Sequence, residues 1–181
     1  MKVFLSYALS LAGLGFVIAA VIGAAMVNLS YPAARMRMLN MLAQSVNKAE
    51  IMCRTAKGTF FEPLGMAIKI TAMAQSTDLA ILAMTTRPSY DAGVMPVQLH
   101  WKTLFGRGKK GVLLVVAGVA VAIGVKTSPI FHIIALVLTA IAAGWFMFTR
   151  TENERSLMLA RAEILPALDQ AFAEGRYTRY G

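Results

Sequence analysis

The sequence is short of the residues from which most chemical sites are built. It has one cysteine, two histidines and nine acidic residues in 181. The single Cys53 excludes an intramolecular disulfide and any zinc site of several cysteines. With no local histidine to act as its base, it reads as an inert helix cysteine. His100 and His132 stand 32 positions apart, and neither is followed by a ligand at helical spacing. No metal or other cofactor, no small-molecule substrate and no catalytic group is therefore expected, and the chain reads as a non-enzyme. Charged residues make up only 15% of the chain, against about 25% in an average soluble domain. They are missing altogether from residues 4–27, 111–125 and 129–148. Proton and sodium carriers usually place an acidic group inside the membrane, so a self-sufficient pump is disfavoured.

What fills the chain instead is apolar. Hydrophobic residues reach 57%, against about 45–50% in soluble domains, and they are clustered. The expected fold is an all-α integral membrane protein with three transmembrane helices, one N-terminal span and a C-terminal hairpin. Residues 4–27 form the first span, about 36 Å of helix for a bilayer core about 30 Å thick. A cleaved signal peptide is the rival reading, but the run exceeds the usual h-region of about 7–15 residues. Residues 111–126 and 129–148 form the second and third spans, so close in sequence that they make a tight hairpin. Lys126 can snorkel to the interface and lengthen the short second span.

Small residues recur at spacing four: Gly15, Ala19 and Gly23 on the first span, Gly118 with Ala122 and Ala120 with Gly124 on the second, Ala140 with Gly144 on the third. Such spacing lets helix backbones approach closely, which in lipid replaces the hydrophobic drive. Ser6 and Ser10 are expected to bond their own helix carbonyls. His132 and Thr139 are the only channel-type polar positions of the third span, His132 being its one proton-responsive group.

Residues 28–110 are a different material, with eleven basic and four acidic side chains. Residues 33–57 read as one helix, opened by Pro32 and ended by Gly58. Residues 60–85 read as a buried helical pair, since Glu62, Lys69 and Asp78 make a span costly. Residues 86–96, with Pro88, Gly93 and Pro96, read as a loop. Trp101 is placed at headgroup level, and Trp145, Phe146 and Phe148 form an aromatic belt. The run from Gly106 to Gly111 looks superficially like a phosphate loop but lacks Walker spacing. Its Arg107, Lys109 and Lys110, with Lys126 at the other end of the span, read as topology and headgroup anchors. Residues 149–181 form an amphipathic tail, with a capping box at Thr151 and Glu154, an apolar side of Leu157, Ala160, Ile164, Leu168 and Phe172, and a bend before Pro166.

Charge sets the expected orientation. The +7 middle segment faces the cytosol of a bacterium, leaving the N-terminus outside and the C-terminus inside the inner membrane. The formal net charge of +9 lies beside apolar spans, which favours anionic lipids over a nucleic-acid partner. Close-packing span faces and an amphipathic tail each need partners, whether other membrane subunits or copies of the same chain. The expected function is a non-catalytic subunit of a larger inner-membrane complex, such as a secretion or conjugation apparatus.

The order of elements resembles the ExbB/TolQ class of proton-channel subunits, which also run one span, a large cytosolic helical part, a membrane hairpin and a cytosolic tail with the N-terminus outside. That resemblance implies a channel-wall role in a proton-driven motor. The chain departs from the class where channel threonines would stand: the second span has none and the third has only Thr139.

Overall fold

A computed structural model describes residues 2–74, 76–126 and 128–177. The described residues are helical, without strands. In chain order the elements are α1 (Lys2–Met26), α2 (Tyr31–Gln44), α3 (Val46–Cys53), α4 (Phe61–Ala74), α5 (Leu79–Val125) and α6 (Ile130–Ala173). Three helices are long and apolar enough to cross a membrane. The chain divides into two compact units, residues 1–26 with 101–151 and residues 27–100 with 152–181. Helices α5 and α6 contribute to both.

The first unit holds α1 and the apolar portions of α5 and α6. Its outer surface carries Phe4, Leu11, Phe16, Leu113, Ile123, Ile141 and Phe148, all exposed. Water would penalise such a surface, whereas acyl chains solvate it. Among its buried side chains are the polar Ser6, Ser10, His132 and Thr139. Just past the end of α5, Lys126 takes a left-handed φ of 54° and donates its N–H to the Ile123 carbonyl.

The second unit has a conventional core. Tyr90, Phe60, Met38, Leu64, Ile68, Leu82, Ile164 and Leu168 are fully buried, drawn from α2, α4, α5, α6 and the turn that leads into α4. The apolar side of the tail, Leu157, Ala160, Ile164, Leu168 and Phe172, lies at or below 6% exposure. Helix α6 closes in a Schellman arrangement: Gly175, at φ 71°, donates to the Phe172 carbonyl, and the Arg176 N–H reaches Ala171. This is the left-handed position that glycine fills without a Cβ penalty.

Three local expectations are corrected. Residues 86–96 are not a loop but the interior of α5, which carries Pro88 and Pro96 within it. Tertiary packing overrides the breakers there, because Tyr90 and Val97 are buried and anchor the helix on either side. Hydroxyls bridge back along it, Thr86 Oγ1 to Leu82 O at 3.1 Å and Ser89 Oγ to Thr85 O at 2.6 Å. Gly93 is a contact rather than a turn, since a Cβ there would lie 2.6 Å from Pro63 Cα. Residues 33–57 are two helices, not one, because Ser45 is extended at φ −168°. The break is held by the far end of the chain: the Val46 N–H donates to Arg176 O at 3.1 Å. Thr151 caps nothing, as α6 runs through it and its hydroxyl bonds the Met147 carbonyl at 3.0 Å. Pro166 lies inside α6, within the helix the sequence gives the tail. Trp101 is buried at 4% exposure, its ring 5.8 Å from that of Phe146.

Candidate functional site

Within the first unit, α1 turns Ser6, Ser10, Gly13, Val17, Ala20 and Ala24 inward. These fall three or four residues apart, one stripe of a helix. Helix α1 meets α5 through glycine: a Cβ on Gly13 would lie 2.6 Å from the Gly111 carbonyl oxygen, and one on Gly111 would lie 2.6 Å from that of Gly13. Any side chain at either position would strike backbone. Gly118 packs the same way against Ser10 and the Ser6 carbonyl. Helix α6 contributes His132, Ala135, Thr139 and Phe146, again one buried stripe.

These faces bring a line of polar side chains together out of contact with solvent. Ser6 donates to Val3 O at 2.8 Å. The Ser10 hydroxyl instead lies 3.0 Å from His132 Nδ1, a buried bond across 122 residues. Ser6 thus bonds its own helix as the sequence suggested, and Ser10 does not. His132 is enclosed by aromatic rings, Tyr7 at 5.0 Å and Phe131 at 5.5 Å between centroids. Among the described residues, His132 Nε2 and Thr139 Oγ1 are buried without a hydrogen-bond partner. Each such atom costs about 1–3 kcal/mol. Chemically, the interior of this unit holds one imidazole, His132, bonded to the Ser10 hydroxyl, with the Thr139 hydroxyl seven positions further along α6. No carboxylate occurs in residues 1–26 or 101–151 to stabilise a charge on it.

The small-residue positions separate into two sets. Gly118 is in tight contact and Ala122 is buried at 4% exposure; Gly23 faces the Leu104 side chain. Gly15, Gly124 and Gly144 have nothing within 4 Å of a built Cβ, and Ala19 and Ala140 are exposed. The in-chain contact face is therefore the Gly13–Ala20–Ala24 stripe, and Gly15–Ala19 looks away from it. Arg107, Lys109, Lys110 and Lys126 are exposed.

The second unit has its own buried polar pair. Thr86 Oγ1 donates to Asp169 Oδ1 at 2.7 Å, and Tyr90 OH donates to Leu157 O at 2.8 Å. Glu163 receives Tyr31 at 3.2 Å and pairs with Arg35, while Arg161 meets Asp91 at 2.8 Å. Burial holds the Cys53 thiol up to about 12, so it is protonated and unreactive at neutral pH. His100 is exposed, and no cluster of three or more metal-ligating side chains occurs among the described residues.

Burial also raises the Asp169 carboxyl, against the lowering effects of the Thr86 hydrogen bond and the Arg87 charge. The folded chain therefore binds this proton more readily than the unfolded chain. Ionised Asp169 costs stability at neutral pH, and the cost fades as pH falls through the raised value to the ordinary carboxylate range. Asp169→Asn keeps the acceptor for Thr86 and is expected to raise Tm at neutral pH. Melts in detergent should show that gain disappear below about pH 4; an equal gain at both ends would mean the charge is not its source.

No protein-family model, no curated protein and no solved structure matches the chain.

Proposed function

We propose that this protein is a non-catalytic membrane subunit of a larger assembly in a bacterial inner membrane, built to hold partners rather than to transform a substrate. The observation that carries the reading is the surface of the second unit. Met36, Ile51, Met73, Leu79, Met84, Met95, Leu99 and Met158 are all more than half exposed there, outside the charge-free runs of residues 4–27, 111–125 and 129–148. Large apolar patches on polar-faced helices mark contact surfaces, and methionine suits an adaptable one. A secretion or conjugation apparatus is the kind of assembly that needs such a subunit. The +7 balance of residues 28–110 supports an inward-facing second unit, with the N-terminus outside.

Two measurements test this. Purified in mild detergent from cells at native level, the chain should elute well above its own 19.5 kDa plus micelle. Met84→Glu and Met95→Glu should return it to a monomer with unchanged Tm; a monomeric wild type would sink the proposal. In a Cys53→Ala background, an impermeant thiol reagent applied to intact cells should label Ser128→Cys and spare Gln44→Cys and Gln170→Cys. Labelling of position 44 from outside would reverse the orientation.

A second reading, a channel-wall subunit of the ExbB/TolQ kind, is favoured by one observation. The Ser10–His132–Thr139 line retains two unpaired polar atoms inside an apolar unit, and proteins keep such atoms chiefly where they serve a function.

A further inference from the structure

The first unit contains a cleft of about 250 Å³ bounded by Val17 and Val21 of α1, Phe105 and Lys109 of α5, and Ala143 and Phe146 of α6. Apart from Lys109 its side-chain lining is apolar. An apolar cavity of about 150 Å³ already stays dry and admits a molecule the size of benzene. This one is larger, and it opens on a unit whose outer face is made of exposed Leu, Ile and Phe. An acyl chain is the occupant that such a slot accepts without a desolvation cost. The charge at its mouth then selects the headgroup. Lys109 stands at the rim, and the Arg150 guanidinium lies 5.6 Å above the Phe105 ring that forms one wall. Arg107 and Lys110 flank Lys109 in sequence, and every charged residue in residues 1–26 and 101–151 is basic. A zwitterionic headgroup would bring an ammonium toward these cations, whereas an anionic one brings only phosphate oxygens.

We infer that this cleft is a binding site for one anionic phospholipid, its acyl chain lying among Val17, Val21, Ala143 and Phe146 and its phosphate meeting Lys109 and Arg150. The site rests on the membrane residence of the first unit and not on assembly with partners.

The test uses the full chain reconstituted into vesicles of equal phosphatidylglycerol and phosphatidylcholine, re-extracted in mild detergent, with retained lipid counted by native mass spectrometry. Wild type should retain about one phosphatidylglycerol per chain in preference to phosphatidylcholine. Lys109→Ala and Arg150→Ala should each lower that retention about fivefold, the effect of one cation near an anionic surface. Ala143→Phe fills the slot and should abolish retention of either lipid. Lys126→Ala, at the other end of the second span, should change nothing. Equal retention of both lipids, a full complement in Ala143→Phe, or an equal loss in Lys126→Ala would each overturn the site and leave only annular lipid. Lys109→Ala and Arg150→Ala replace exposed side chains, so their readout does not depend on Ala143→Phe folding. Absence of any lipid preference in the wild type, with complex recovery intact, would overturn this inference alone.

Discussion

Gly13→Leu is expected to lower the melting temperature by about 6–12 °C, while Gly15→Leu, two residues away, leaves it unchanged. At Gly13 the first atom a side chain meets is the Gly111 carbonyl oxygen, and the next is the Val115 backbone nitrogen. Neither can rotate aside, so the helices must separate. Overpacking of a tight contact costs about 3 kcal/mol at the upper end of its ordinary range, or about 6–12 °C in Tm for a chain of this length. Separation would also expose Ser10 and His132 to lipid and remove the bond between them. At Gly15 nothing lies within 4 Å, and the added side chain simply faces outward. Melting in detergent followed by helical content distinguishes the two. The same pair divides fold from assembly: Ala19→Leu, exposed beside Gly15, should keep Tm and lower recovery of the native complex, since a stripe that packs on nothing in its own chain is useful only to a partner. If Gly13→Leu melts like wild type, the glycine contact does not hold α1.

These positions show what sequence pattern reaches and what it does not. That three helices are long and apolar enough to cross a membrane was legible because the absence of charge over residues 4–27, 111–125 and 129–148 is a property of composition, readable without knowing any neighbour. The buried side of the tail was legible for a related reason: Leu157, Ala160, Ile164 and Leu168 follow helical period. Which small-residue stripe packs was not legible, because α1 offers two. Gly15–Ala19–Gly23 has the stronger spacing, but Gly13 is the one opposite Gly111, and only the fold pairs them. The signal that was present and passed over is polar: Ser6 and Ser10 share the Gly13 stripe, and serine in a membrane helix has reason to face protein. Pro88, Gly93 and Pro96 misled because local breakers are weak against burial of Tyr90 and Val97. The break at Ser45 depends on Arg176, 131 positions away, and no local window contains both.

Replacing Ser10 with Ala and His132 with Leu together is expected to make the protein more stable. The native line leaves His132 Nε2 without a partner, at a cost of about 1–3 kcal/mol. The bond between Ser10 and His132 contributes only about 0.6 kcal/mol by the standard of interhelical bonds in membranes. An apolar pair of similar volume removes both terms and should gain about 1.5 kcal/mol, or about 3–6 °C in Tm. Stability alone would then not explain why these two residues are polar, and function separates the two readings. For a subunit that holds partners, the double variant should assemble as wild type does, and wild type in liposomes under an imposed proton gradient should leak no faster than empty liposomes. For a channel wall, activity of the assembled complex in cells should fall with the double variant and with Thr139→Val, since both remove groups able to pass a proton. The first pattern is the expected one, because residues 1–26 and 101–151 contain no carboxylate and a charged imidazolium beside Tyr7 and Phe131 has no counter-ion of its own. A proton flux in wild type that the double variant abolishes would reverse that expectation, and it would make His132 the residue through which the channel is read. The cell assay covers the remaining case, a path completed only when another subunit brings the missing acid to His132.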